Sequence, residues 1–149
     1  MGKLYIDFED VKSGINDFRF DKEFDAILCV TRGGLVPAGL LSYKLEVKDV
    51  FNIKVESYTN ENQQGELYVQ NMTQRDISNL LLAKNVLVVD DVYDSGATMI
   101  AVVEELKKYG IEESQINTFC VITKQEEKVD YSIFECDLET WVVFPWDFE

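Results

Sequence analysis

The chain has 149 residues, 46% of them hydrophobic and 28% charged, which suits one domain spanning 1–149 with a continuous core and lies far from the profile of a disordered segment. Twenty-eight acidic residues against fourteen Lys and Arg give a formal charge of −14, which argues against the broad basic face that a nucleic-acid partner requires. With no histidine, acid–base or metal chemistry falls to carboxylates, lysine and tyrosine, and three cysteines, an odd number without C-x-x-C spacing, indicate a reducing cytoplasm.

Taken in chain order, the N-terminal MGKLYIDFED lacks the layout of a secretory signal, and no apolar run reaches the roughly 18 residues of a membrane span. No membrane partner is expected. Residues 25–30 (DAILCV) form a short apolar run ending at Thr31-Arg32-Gly33-Gly34, after which residues 36–45 have helical spacing with Pro37 in the first turn. This predicts strand, glycine loop, helix. Residues 50–58 are strand-like, residues 59–66 (TNENQQGE) are wholly polar and predict a mobile loop, and residues 67–69 fit a returning strand.

The strand–loop–helix layout then recurs. Residues 86–89 are four aliphatic β-formers, Asp90 and Asp91 follow at the strand end, where both should face solvent, and DSGAT makes a turn. Residues 99–109 come next, with Met99, Val102, Val103 and Leu106 on one face, Lys107 and Lys108 at the C-terminal end, and Gly110 as the stop. Residues 116–122 and 131–134 are further strand candidates, and the tail at 141–146 (WVVFPW) is apolar and aromatic. Aliphatic strands alternating with amphipathic helices predict an α/β fold, a mostly parallel sheet flanked by helices. Ligands of such sheets bind beyond the carboxyl ends of the strands, where both glycine loops fall.

Residues 86–98 (VLVVDDVYDSGAT) carry the strongest chemical signal. The strand anchors the loop, and the small Ser95, Gly96 and Ala97 let a ligand approach the main chain. Unpaired amides at the next helix start, with the Ser95 and Thr98 hydroxyls, can hold a phosphate. A helix end contributes about 0.3–1 kcal/mol to an anion, too little for a polyphosphate beside two carboxylates, so a divalent cation is expected. Asp90 and Asp91 suit ribose hydroxyls and a magnesium ion that takes its other ligands from substrate and water. The spacing is not that of a P-loop. An Asp pair at a strand end taken alone is usually a solvated turn, and Arg-Gly-Gly alone is usually a tight turn; their succession in one chain points to a site.

These residues resemble the binding motif for phosphoribosyl pyrophosphate (PRPP) of type I phosphoribosyltransferases, in which two acidic residues after a hydrophobic strand precede a D-[ST]-G-x-T phosphate loop. Residues 29–41 (CVTRGGLVPAGLL), Ser57-Tyr58 before the polar loop, Lys124 after a strand, and residues 139–147 (ETWVVFPWD) are similar, in order and separation, to the bacterial xanthine-guanine members of that family. The resemblance spans roughly residues 25–147. It implies a small hood formed by the chain termini, transfer of 5-phosphoribosyl from PRPP to a 6-oxopurine with release of pyrophosphate, magnesium as cofactor, and a homodimer or homotetramer.

Residue by residue, the resemblance implies that Arg32 and Gly33 hold the pyrophosphate and that Asp90 and Asp91 bind the ribose hydroxyls and, through them, the metal. Asp94, Ser95, Gly96, Ala97 and Thr98 would surround the 5′-phosphate, with Asp94 also acting as acid or base at the purine's imidazole nitrogen. Lys124 would donate to the 6-oxo group, Trp141 would stack on the base, and the Val142 main chain would read its edge, leaving Trp146 structural. Asp147 lies near where relatives place an acidic metal contact, whereas Val143 fills the other such position. No Lys or Arg stands between Lys54 and Arg75, so the polar loop lacks the cation that relatives close over pyrophosphate. Two other readings are a non-catalytic PRPP-sensing regulator, which the retained Asp94, Lys124 and Trp141 weigh against, and a transferase for a pyrimidine, which the aromatic tail weighs against.

Overall fold

A computed structural model describes residues 2–60, 63–125 and 128–148. The elements run β1 (Lys3–Tyr5), α1 (Phe8–Asp17), β2 (Ala26–Thr31), α2 (Leu35–Leu45), β3 (Val50–Asn60), β4 (Gln63–Val69), α3 (Gln74–Leu82), β5 (Val86–Tyr93), α4 (Ala97–Lys108), β6 (Ile116–Thr123), β7 (Tyr131–Glu135) and β8 (Trp141–Val143), with a 3-10 turn at Glu113–Gln115. Six strands form one sheet in the order β4-β3-β2-β5-β6-β7. All neighbours are parallel except β3 and β4, which make an antiparallel hairpin at one edge. The α/β arrangement expected from the sequence is the one found.

Strand alternation divides the core into two faces. Leu28, Val30, Val86, Val88 and Cys120 pack with Leu80 of α3 and with Met99, Val102 and Leu106 of α4. Ile27, Cys29, Leu87, Val89, Phe119 and Val121 pack with Val11 and Ile15 of α1 and with Ala38 and Leu41 of α2. Burial of each large apolar side chain contributes about 1.5–3 kcal/mol, which outweighs the small helix penalty of a β-branched residue such as Val102. Cys29 and Cys120 act here as small hydrophobes; burial pushes the Cys29 thiol up to about 12.

Two readings need correction, and the expected hood takes a definite form. The run expected to end at residue 89 continues as strand through Tyr93, because β6 pairs with it as far as Tyr93↔Thr123. Asp90 and Asp91 therefore lie within β5, not in a loop after it. The polar stretch at 59–66 continues both arms of the β3–β4 hairpin, to the pair Asn60↔Gln63, since backbone pairing needs no apolar side chain; residues 61 and 62 lie outside the described residues. Finally, the aromatic tail enters a strand: β8 pairs in parallel with β1 through Lys3↔Trp141, Leu4↔Val142 and Tyr5↔Val143. The hood of the two termini is this two-stranded sheet.

Candidate active site

The tips of β2 and β5 are neighbours in the sheet, and the loop after β2 folds over the β5 carboxylates. Gly34 N donates to Val30 O at 2.8 Å and Leu35 N to Arg32 O at 3.0 Å, so residues 31–34 form a closed turn that starts α2. The Thr31-Arg32 peptide is cis. Gly33 lies against the acidic pair so closely that a Cβ there would stand 2.6 Å from Asp91 Oδ1 and 2.8 Å from Asp90 Oδ1. A side chain at this position would have to displace both carboxylates.

Asp90 is buried, with 7% of its surface exposed, and Asp91 is half-buried, contrary to the expectation that both face solvent. The cause is the strand: Asp90 sits opposite Cys120 in the ladder, and the glycine loop covers its end. Main-chain amides satisfy part of the pair, Asp91 N donating to Asp90 Oδ1 and Val92 N to Asp91 Oδ1, each at 2.8 Å. Burial, with the Asp91 charge beside it, pushes the Asp90 carboxyl up to about 8. Burial also raises Asp91, against the neighbouring Asp90 side chain and the Val92 amide, which favour its charged form. Among the described residues no lysine or arginine forms a salt bridge with either carboxylate.

A cleft of ≈ 960 Å³ opens beside this pair, lined by Arg32, Gly33, Asp91, Trp141, Val143, Trp146 and Asp147 among others. It brings together the first glycine loop, the β5 tip and the hood. Trp141 is 61% exposed. Trp141 N donates to Gly2 O and Ile6 N to Val143 O, each at 3.0 Å, so residues 141 and 143 face β1. By strand alternation the Val142 amide and carbonyl point the other way, off the open edge of β8, as a base-reading main chain requires. Asp147 borders the cleft while closing its own turn: its Oδ2 accepts from Phe144 N at 2.9 Å.

The second glycine loop forms an adjoining group, just beyond β5 in the chain. Gly96 has φ +89°, a left-handed conformation, and a Cβ there would strike the Tyr93 hydroxyl. Helix α4 starts at Ala97 with no side-chain cap, so its first-turn amides have no intrahelical acceptor; Ala97 N reaches Ser95 Oγ at 3.3 Å. Asp94 is exposed and pairs with Lys124 Nζ at 3.2 Å, and the lysine side chain is nearly buried at 7% exposed. Gln125, which the sequence did not single out, donates from Nε2 to Asp94 O at 2.8 Å and ties the loop after β6 to the phosphate loop. A second cleft, ≈ 370 Å³, lies along α4 between Ile100 and Ile116 and contains none of the expected site residues.

Residues 3–149 match the phosphoribosyl transferase domain family. Over 126 residues the chain is 32% identical to a xanthine-guanine phosphoribosyltransferase from Idiomarina loihiensis, covering 85% of this chain and 73% of that protein. The structure is similar to that of a purine phosphoribosyltransferase from Pyrococcus horikoshii, with TM-score 0.78, 31% identity, and coverage of 100% of this chain and 97% of the other. It is also similar to a Neisseria gonorrhoeae protein with bound ppGpp, with TM-score 0.77, 25% identity, and coverage of 99% and 90%.

Proposed function

The chain belongs to the phosphoribosyltransferase family, and from that premise we propose that it transfers 5-phosphoribosyl from PRPP to guanine, xanthine or hypoxanthine in purine salvage, releasing pyrophosphate. The observation that carries this reading is the close approach of Gly33 to Asp90 and Asp91 beside a cleft that Arg32 and Trp141 also line. In this reading the glycine loop takes the pyrophosphate, the acidic pair the ribose hydroxyls and the indole ring the base. The names of the Idiomarina and Pyrococcus relatives support a purine acceptor, and the ppGpp bound by the Neisseria protein is consistent with a guanine nucleotide as ligand of this fold.

Magnesium fits the residues present. A buried and a half-buried carboxylate side by side, with no salt bridge to a cation among the described residues, lack a compensating charge, and among those residues no three His, Cys, Asp or Glu groups gather into a self-sufficient metal site. Asp90 and Asp91 would hold the ion together with substrate oxygens and water. When bound, it would supply positive charge to the pyrophosphate oxygens.

The chain's own groups do the remainder. Arg32 and the main chain of Gly33 receive the departing pyrophosphate, while the first-turn amides of α4, with Ser95 and Thr98, fix the 5′-phosphate. The anomeric C–O bond to pyrophosphate breaks through an oxocarbenium-like state as the bond from the purine nitrogen forms. Trp141 stacks on the base, the Val142 main chain reads its edge, and Lys124 donates to its 6-oxo group, which holds the nucleophile in attacking geometry. Asp94, oriented by Lys124, moves the proton at the imidazole nitrogen.

The test is a panel of guanine, xanthine, hypoxanthine, adenine, uracil and orotate, each incubated with PRPP and magnesium while pyrophosphate release is followed. Turnover confined to the 6-oxopurines supports the reading; release with a pyrimidine alone, or with none, refutes it. In the same panel Lys124→Ala should lower the guanine-to-adenine rate ratio by about 10- to 100-fold. The proposal extends to a cytoplasmic homodimer or homotetramer. No described helix is long and apolar enough to cross a membrane.

A further inference from the structure

Trp146 stands outside the roles assigned above, yet its indole nitrogen is the one buried side-chain polar atom among the described residues with no hydrogen-bond partner. An N–H left without an acceptor in a protein interior is costly, and such groups gather where function requires them. The ring is locked in place. It lies flat on the buried Phe144, with centroids 4.8 Å apart and planes 7° from parallel. The turn beneath it is closed twice, by Phe144 N to Asp147 Oδ2 at 2.9 Å and by Asp147 N to Phe144 O at 3.0 Å.

Trp146 and Asp91 line the same cleft, where an indole donor would favour the charged carboxylate, although Trp146 Nε1 has no bonded partner. Asp91 Oδ1 is already engaged by Val92 N at 2.8 Å, which leaves acceptor capacity on the carboxylate for a second donor. We propose that Trp146 is a positioning residue: when PRPP is seated, the Asp91 carboxylate turns to accept from the fixed indole N–H and is held toward the ribose hydroxyls, so that the hood senses the sugar phosphate as well as the base. The inference rests on the PRPP reading above. It is tested through PRPP binding alone, so that failure of the transfer reaction and failure of this role give different results.

Trp146→Phe keeps an aromatic ring on Phe144 and removes the N–H. Calorimetric titration of the protein with PRPP and magnesium, without base, should show about tenfold weaker binding, while KM for guanine changes less than twofold. Replacement of Trp146 by its benzothiophene isostere, which has the same shape and no N–H, should reproduce the loss and remains informative should the phenylalanine variant fold poorly. In a cycle with Asp91→Ala, which removes the acceptor, the Trp146→Phe loss should disappear, since the two groups act as a pair. Unchanged PRPP affinity in the isostere overturns the proposal, as does a loss that adds independently to that of Asp91→Ala. A protein that binds PRPP in this pattern but releases no pyrophosphate with any base overturns the transfer reaction and leaves the Trp146 role standing.

Discussion

Asp90 is held in a state that its chemistry resists: a carboxyl group in the core beside a second one, with no salt bridge to a cation among the described residues. The folded-state pKa of about 8 lies above the unfolded value near 4, so the folded protein binds more protons across that interval. The resulting stability is fully present below the unfolded pKa and is lost as pH rises through the folded one. Ligand-free protein should therefore lose stability between pH 5 and pH 8.5, and Asp90→Asn should flatten the decline. We expect Asp90→Asn to stabilise the ligand-free protein at pH 8 by about 2 kcal/mol, measured as a shift in urea midpoint at both pH values. Asp90→Asn combined with Asp91→Asn should cut turnover at least about 100-fold while the fold persists. A less stable Asp90→Asn protein at pH 8 would contradict the electrostatic account.

The two glycine loops show how far an element depends on the residue that begins it. Gly96 occupies a left-handed conformation over the Tyr93 ring, so Gly96→Ala should cost about 2 kcal/mol and weaken PRPP binding through the start of α4. Gly39, within α2 with open space around it, gives the contrast: Gly39→Ala should gain about 0.5–1 kcal/mol. Denaturation midpoints of the two variants should move in opposite directions. Elements carried by unbroken apolar runs, β2 and β5 and the helices after them, were legible in the sequence because burial on both faces of a sheet leaves an aliphatic signature. Helices α1 and α3 were not, since each buries only two residues, Val11 with Ile15 and Ile77 with Leu80. Their caps did announce them: Asp7 and Asp10 bond reciprocally, and Thr73 accepts from Asp76 N. In the site, residue types and order were readable, but the burial of Asp90 was not, because it follows from how far β6 pairs along β5. Nor could the sequence tell which tryptophan faces solvent and which buries its indole nitrogen, since that depends on the turn after β8.

At the scale of the whole molecule, the six-stranded sheet holds the two glycine loops, and the two-stranded hood with the turn after it holds Trp141 and Trp146. The two parts should be separable by experiment. Deletion of residues 1–5 removes β1, leaves β8 without its ladder, and leaves both core faces of the large sheet intact. We expect KM for the base to rise about tenfold with a change in melting temperature of only a few degrees, read by steady-state kinetics and calorimetry. Cooperative unfolding of the whole chain on deletion would show that the hood is part of the folding core. Because Gly2 O accepts from Trp141 N at 3.0 Å, anything fused ahead of Gly2 begins at the rim of the cleft, and Phe148, at the other end of the described chain, borders the same opening. A purification tag on either terminus thus hangs over the opening that Arg32, Asp91 and Trp141 line. Kinetics of this protein are best taken after proteolytic removal of any fusion.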